Sequence, residues 1–235
     1  AAPARRSPVR QGCDADPQLV QEYAPDILRS MLRRERHFMP TPDFMRLQPQ
    51  LNSKMRSILN DWLWEVHRRY RLRKETLFLT VSVVDRYLSR ARVLRQRFQL
   101  VGVTALLIAA KFEEIQPPRL ADLAYVTDHS CTAEDIVRTE ATMLAVLGFD
   151  VAGPTVAHFL QHLQASEGGV VAVGRVRGEA ASPVSTASTP PRRSAAGVDV
   201  AWHLLELSLL DMRLVRHLPS RAASAALLLG RRLPG

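Results

Sequence analysis

Few residues of this 235-residue sequence stand at a spacing that suits catalysis or metal binding. His158 and His162 are four residues apart, so on a helix their imidazoles would share one face, as in a metal-binding pair. The pair lacks the intervening glutamate of a zinc protease and an obvious third ligand. The chain also has no glycine-rich phosphate loop and no nucleophile elbow. We therefore expect a protein that is not an enzyme, with no catalytic residue, no metal and no cofactor.

Charged residues on otherwise apolar helix faces are the more informative feature. Glu140 falls within one apolar arc, and Asp85 falls between Val81 and Phe78 on another helix. Lys111, one of only three lysines in the chain, ends a third apolar stretch. Burying an ionised carboxylate without a partner is costly, so each charge has an internal partner, is protonated, or faces something outside the chain. The apolar residues of the arc around Glu140 are Ile136, Val137, Met143, Leu144 and Leu147.

Composition restricts the class of protein. The chain is 46% hydrophobic with 6% aromatic residues, which is typical of a domain with a packed core. The longest apolar run, residues 98–110, is shorter than a membrane helix needs, and no secretory signal is visible, so we expect no membrane association. Cys13 and Cys131 are too few and too far apart for a disulfide framework or a zinc cluster, which favours a reducing compartment. The net charge is +9, and arginine supplies almost all of the positive charge. We interpret most of these arginines as lying on solvated helix faces, so nucleic acid is not the favoured partner.

The elements that would position these charges are helices. Prolines at 40, 42, 49, 117 and 118 divide the sequence, and no alternating strand pattern occurs between residues 19 and 163. Asn52 or Ser53 is the expected N-cap of one helix; Thr132 with Asp135, and Gly148, are the expected caps of another. The predicted helices span about residues 25–38, 52–70, 74–91, 95–113, 119–128 and 133–147.

One of these helices, 95–113, is apolar on every side, which is typical of a central, fully buried helix. The sequence therefore predicts an all-α fold in which an N-terminal helix precedes a five-helix bundle, together occupying residues 18–150. Residues 1–17 read as a disordered basic tail, with a proline-directed kinase site at Ser7-Pro8.

The remainder, residues 151–235, predicts three helices over about 154–164, 198–217 and 222–232. A Gly-, Ala-, Ser- and Pro-rich insertion at about 165–199 separates them and carries a second proline-directed site at Thr189-Pro190.

The motifs of the first region resemble the cyclin box in order and spacing, and most closely that of the mitotic A- and B-type cyclins, leaning towards B-type. The resemblance covers residues 22–163 and resumes at about 198. It implies a cyclin fold with a second helical repeat, which here has room for three helices where five belong; we expect a truncated product or a fragment. The matching motifs are Met55-Arg56-Ser57-Ile58-Leu59, Asp61-Trp62-Leu63, Val84-Asp85-Arg86-Tyr87-Leu88, Gln99-Leu100-Val101-Gly102, Ala110-Lys111-Phe112-Glu113-Glu114 and Tyr125-Val126-Thr127-Asp128.

The resemblance also implies roles for the unusual charges. Lys111 and Glu140 would hydrogen-bond backbone groups of a cyclin-dependent kinase beside its movable C helix, and Arg56 and Asp85 would form a buried ion pair. The apolar residues implied at the kinase interface are Phe112, Leu144, Phe149, Tyr23 and Ile27. A docking patch for Arg-x-Leu-type substrates and inhibitors is implied at Met55, Ile58, Leu59, Trp62, Glu65 and Gln99.

The resemblance leads to the expectation of a regulatory subunit that activates a kinase in cell-cycle control, in the nucleus and cytoplasm. Two departures, Ser57 and Phe98, are expected to alter peptide preference, and Pro25 is expected to delay the first helix and displace Tyr23. Two other functions stay open: a transcription factor of the same fold that binds nucleic acid, favoured only by the basic charge, and an inactive truncated cyclin.

Overall fold

The computed structural model describes residues 23–165 and 195–233, and every regular element in these ranges is helical. Short 3-10 helices at Phe44–Leu47 and Arg95–Arg97 precede α2 and α4. The expected tail and both proline-directed sites lie outside the described residues. The α-helices are α1 (Ala24–Arg34), α2 (Ser53–Arg69), α3 (Lys74–Leu88), α4 (Phe98–Glu113), α5 (Leu120–Val126), α6 (Ala133–Leu147), α7 (Val156–Ala165), α8 (Ala195–Ser208) and α9 (Pro219–Arg232).

Local capping fixes where the central helices begin and end. The Asn52 side chain accepts a hydrogen bond from the Met55 N–H at 2.9 Å and starts α2. Thr132 and Asp135 form a complete capping box at α6, and Gly148 ends that helix at φ +65°. These caps are confirmed, because each depends on side chains within one turn.

The first core surrounds α4, as predicted. Twelve of its sixteen residues are buried, and α3 packs along it with most of its own length buried. Gly102 brings α2 close to α4, since a Cβ on Gly102 would lie 2.7 Å from Leu59 Cδ1. This contact holds the inner side of α2 against the core and leaves its outer side to solvent.

A second core is built by α7, α8 and α9, and α1 packs its apolar side against it through Leu28, Met31 and Leu32. Two predictions for this region are wrong. Ala165 belongs to α7 and residues 195–199 to α8, so those positions are helical and not part of the insertion. The helix predicted over 198–217 ends at Ser208, because the Asp211 side chain accepts from the Arg213 N–H at 2.8 Å and stabilises a turn.

Buried polar contacts join α1 to α9 beside the second core. Glu35, at the end of α1, accepts from the Ser220 N–H at 3.0 Å and from its hydroxyl at 2.9 Å, and so caps α9 from outside that helix. A carboxylate at this position satisfies free N–H groups of the first turn. The position of α9 therefore depends on α1.

The second core is incompletely covered in the part of the chain that the structure describes. A cavity of about 540 Å³ lies between α3, α8 and α9, and Leu228 and Leu229 of α9 are exposed to solvent. Among the described helices none has both the length and the apolar character needed to span a membrane.

Candidate functional site

The end of α4 and the middle of α6 bring Lys111 and Glu140 together at the surface. Lys111 Nζ donates to Glu140 Oε1 at 2.7 Å and to Oε2 at 2.8 Å. The lysine side chain is 51% exposed and the glutamate side chain 13%. Of the three arrangements open for Glu140 from the sequence, the chain by itself adopts the internal ion pair. An external partner is not required to explain these charges, but the pair lies where a partner would reach it.

Apolar side chains surround this pair. Phe112 follows Lys111 and is exposed, and Leu144, one turn beyond Glu140, is half-buried against the first core. Val137 is exposed, and its spacing of three from Glu140 places both on one helical face. Ile115, which sequence reasoning missed, is fully exposed just after α4. We call this surface the Lys111 face: Lys111, Phe112, Ile115, Val137, Glu140, Leu144 and Phe149.

Phe149 is held in an unusual conformation on this face. Its φ is +57°, a region that costs a bulky residue of the order of 1 kcal/mol, and its side chain is 72% exposed. Its N–H donates to the Leu144 carbonyl at 2.8 Å, which completes the turn that Gly148 begins. An aromatic ring that is held outward in a strained conformation is typical of a binding surface.

Tyr23 and Ile27 lie on the exposed side of α1. Pro25 occupies the first turn of that helix, where its missing N–H costs nothing, so it does not delay the helix; Tyr23 is the N-cap residue. At the other end of α1, Arg34 donates to the Ala152 carbonyl at 3.0 Å. This bond fixes α1 to the chain that follows α6.

The predicted docking patch lies on the outer side of α2. Ile58 is exposed, whereas Met55 and Trp62 are partly buried against the first core. Leu59 is only 6% exposed, since it packs into the core. The two polar members are Glu65, which is exposed, and Gln99, which accepts from the Ser130 hydroxyl at 3.3 Å.

Behind this patch lies the buried ion pair of Arg56 and Asp85. Arg56 Nε donates to Asp85 Oδ1 at 2.7 Å, Nη2 donates to Oδ2 at 2.6 Å, and Nη1 donates to the Leu209 carbonyl at 2.9 Å. Burial lowers the pKa of Arg56, but the charge of Asp85 and the hydrogen bonds to it outweigh burial and leave that pKa above its ordinary value. The guanidinium is charged at any physiological pH.

Ser57 also faces inward. Its hydroxyl donates to the Leu210 carbonyl at 2.6 Å, and Asn60 donates to the Leu209 carbonyl at 2.8 Å. Trp64 lies on the side of α2 that faces α8, where it donates its indole N–H to Glu206 at 3.2 Å. The helix that carries the predicted docking patch, α2, is thus hydrogen-bonded along its length to α8 and to the residues that directly follow α8.

The two histidines of the possible metal pair have other partners. Thr155 donates its N–H to His158 Nδ1 at 3.2 Å, and His158 Nε2 lies 3.6 Å from Glu113. Burial lowers the pKa of His162 below its ordinary value. Within the described ranges, no three potential ligands lie close enough together to hold a metal ion.

Comparison with known proteins finds a family model and relatives that all point to one family. The profile of the cyclin N-terminal domain matches residues 26–152. The G2/mitotic-specific cyclin cig2 of Schizosaccharomyces pombe is 37% identical over 229 residues, which are 97% of this chain and 50% of that protein. Cyclin-A1 of Carassius auratus is 41% identical over 208 residues, 88% of this chain and 47% of that one. The chain therefore spans about half the length of the curated relatives that it matches.

The fold is also that of a solved structure. A viral cyclin from herpesvirus saimiri superposes with a TM-score of 0.70 at 18% identity, over 88% of this chain and 81% of that chain. At this level of identity the likeness concerns the fold.

Proposed function

Because the chain belongs to the cyclin family, we propose that it is a regulatory subunit that binds and activates a cyclin-dependent protein kinase. The observation that carries the proposal is the Lys111 face, where an ion pair with an exposed lysine stands among apolar side chains that are mostly exposed. Burying such a patch against a partner is favourable, because it removes apolar surface from water.

The ion pair is suited to bind a main chain without being broken. An ammonium has three donors and a carboxylate has several lone pairs, so the contact between Lys111 and Glu140 leaves capacity on both groups. Carbonyl and N–H groups of a kinase can take up that capacity. The pair is therefore preorganised, and its position is set before the partner arrives.

Activation on this proposal is a shift of the kinase population. The chain contributes no reacting group; its binding free energy favours the kinase conformation in which the C helix is swung in. To move such an equilibrium from 1:99 to 99:1, the subunit must bind the active conformation about 5.5 kcal/mol more tightly than the inactive one. The apolar part of the Lys111 face supplies most of this difference, and the ion pair fixes the register.

The same subunit would recruit substrates and inhibitors that carry an Arg-x-Leu motif. Ile58 and the partly buried Trp62 offer apolar surface for the leucine, and Glu65 offers a carboxylate for the arginine. Because the Ser57 hydroxyl is engaged inside the chain, we attribute no peptide preference to it.

We propose a nuclear and cytoplasmic location, which a fluorescent fusion tests.

Co-purification with a cyclin-dependent kinase and a histone phosphorylation assay test the main proposal. Changing Lys111 or Glu140 to alanine should reduce activation by at least tenfold. Arg138→Ala is the matched control, since Arg138 is a charged, exposed residue of α6 that projects about 200° away from Glu140.

Equal activity of all three variants would contradict the proposal. Kinase binding without activation would favour the inactive truncated cyclin. Salt-sensitive binding to DNA without kinase binding would favour the transcription factor.

A further inference from the structure

The connection between α3 and α4 carries an unusual concentration of positive charge. Arg90, Arg92, Arg95 and Arg97 lie within eight residues, and all four are exposed. Arg90 turns towards α6 and donates to the Val146 carbonyl at 3.2 Å. Among the described residues the other three form no ion pair, although the charge of Arg97 adds to the hydrogen bonds from Thr132 in lowering the pKa of Asp135. We call residues 90–97 the arginine loop.

Two glutamines fix this loop beside the beginning of α2. Gln48 donates to the Ala91 carbonyl at 2.7 Å and accepts from the Val93 N–H at 2.9 Å. Gln50 accepts from the Arg95 N–H at 3.1 Å. The loop then enters α4, whose second residue is Gln99 of the docking patch. The arginines are therefore held at the end of the patch where α2 begins.

The outer side of α2 is polarised along its axis. Lys54, Ile58, Asp61 and Glu65 follow one another on nearly the same side of the helix, and all four are exposed. Lys54 and Glu65 are separated by about 16 Å along the axis. The patch thus has a negative end at Asp61 and Glu65, an apolar middle, and a positive end that Lys54 shares with the arginine loop.

We propose that the arginine loop binds an acidic segment that directly follows the leucine of an Arg-x-Leu docking motif; this inference rests on the docking function proposed above. With the motif arginine at Glu65 and the leucine in the apolar middle, the chain that follows the leucine runs towards Lys54 and Arg95. Aspartates or glutamates in that segment meet three cations that form no ion pair within the described structure. The partner class is therefore a peptide of mixed charge, basic before its apolar anchor and acidic after it.

The polarity of α2 favours such a peptide over a nucleic acid. A nucleic acid carries negative charge along its whole length, so it would place phosphates against Asp61 and Glu65. A peptide with opposite charges on the two sides of its leucine complements both ends. Each exposed pair contributes modestly, so several together are expected to tighten binding by roughly three- to tenfold.

Fluorescence polarisation with the full 235-residue chain tests this. Three labelled peptides are compared: the motif with a neutral flank, the motif followed by four carboxylates, and the acidic flank with the motif arginine and leucine replaced by alanine. The variant R92Q/R95Q/R97Q removes the loop charges. The variant R33Q/R36Q/R119Q removes the same number of exposed arginines elsewhere on the surface.

The acidic flank should tighten binding to the wild type and to the control variant but not to the loop variant. Its advantage should also disappear when salt is raised from about 0.05 M to about 0.5 M, because these charges are exposed. Equal affinity of neutral and acidic flanks, with the motif still bound, would overturn this inference and leave the docking function standing. Absence of binding by every motif peptide would overturn both. Equally tight binding of the motif-free acidic peptide would also overturn it, since the loop would then attract any polyanion.

Discussion

Removing one member of the buried Arg56–Asp85 pair should destabilise the protein more than any surface change. Arg56→Ala deletes both hydrogen bonds to Asp85 and one to Leu209, and it leaves a carboxylate that is 4% exposed without a cation. Asp85→Ala leaves the guanidinium, 1% exposed, with only the Leu209 carbonyl. Each variant therefore leaves an uncompensated charge in the protein interior.

The cost of such a change is about 3–5 kcal/mol, and most of it is the desolvation of the charge that remains. At about 2–4 °C per kcal/mol for a chain of this size, the midpoint of thermal unfolding should fall by roughly 10 °C. The double variant Arg56→Met/Asp85→Leu removes both charges and refills the space with apolar atoms. It should recover most of the loss, because a well-packed apolar pair is about as stable as a buried ion pair.

Urea unfolding followed by far-ultraviolet circular dichroism measures both effects in one double-mutant cycle. A coupling free energy of about 2 kcal/mol or more between the two sites supports the argument. Single variants that lose less than about 1 kcal/mol would show that water enters the site and solvates the remaining charge. A double variant that loses the sum of the single losses would show that the geometry of the bonds, rather than charge compensation, holds the site together.

Two further predictions concern the second core and the pH dependence of stability. Glu35→Gln keeps the shape of the side chain but weakens the bonds to Ser220 and removes the charge at the start of α9. It should lower the free energy of unfolding by about 1–2 kcal/mol and speed hydrogen exchange in α9 more than in α4. Equal acceleration of exchange in both helices would contradict a local cap. Burial lowers the pKa of His67 below its ordinary value, so as the pH falls below about 6.5 the unfolded chain takes up a proton before the folded chain does. The free energy of unfolding therefore decreases with falling pH. His67→Gln should flatten this decrease in urea unfolding between about pH 7 and pH 5, and an unchanged slope would contradict the prediction.

The sequence predicts best what adjacent residues decide. The starts of α2 and α6 and the end at Gly148 follow from side chains within one turn, and the apolar circumference of α4 predicts its central position. Periodicity assigns a residue to a face but not to a partner. Ile136 and Val137 share the apolar arc of the sequence, yet Ile136 is buried and Val137 is exposed.

Long-range contacts escaped the same reasoning. Lys111 and Glu140 are 29 residues apart, and only the crossing of α4 and α6 shows that they satisfy each other. One local signal was also missed: α8 ends at Ser208 before the turn at Asp211, within a stretch whose apolar residues continue the helical pattern. The cap of α9 by Glu35 joins residues 185 positions apart, and no local pattern announces it.

Long-range bonds also bear on the peptide docking that we propose for α2. The Leu209 carbonyl accepts from both Arg56 and Asn60, and the adjacent Leu210 carbonyl accepts from Ser57. All three donors lie on α2, behind its outer face. The first core holds the same helix through Leu59. Because α2 is held from two directions, its outer side chains keep their positions without a ligand. On the proposed docking function, a peptide would consequently lose mainly its own conformational entropy on binding, which would allow a short motif to bind with useful affinity.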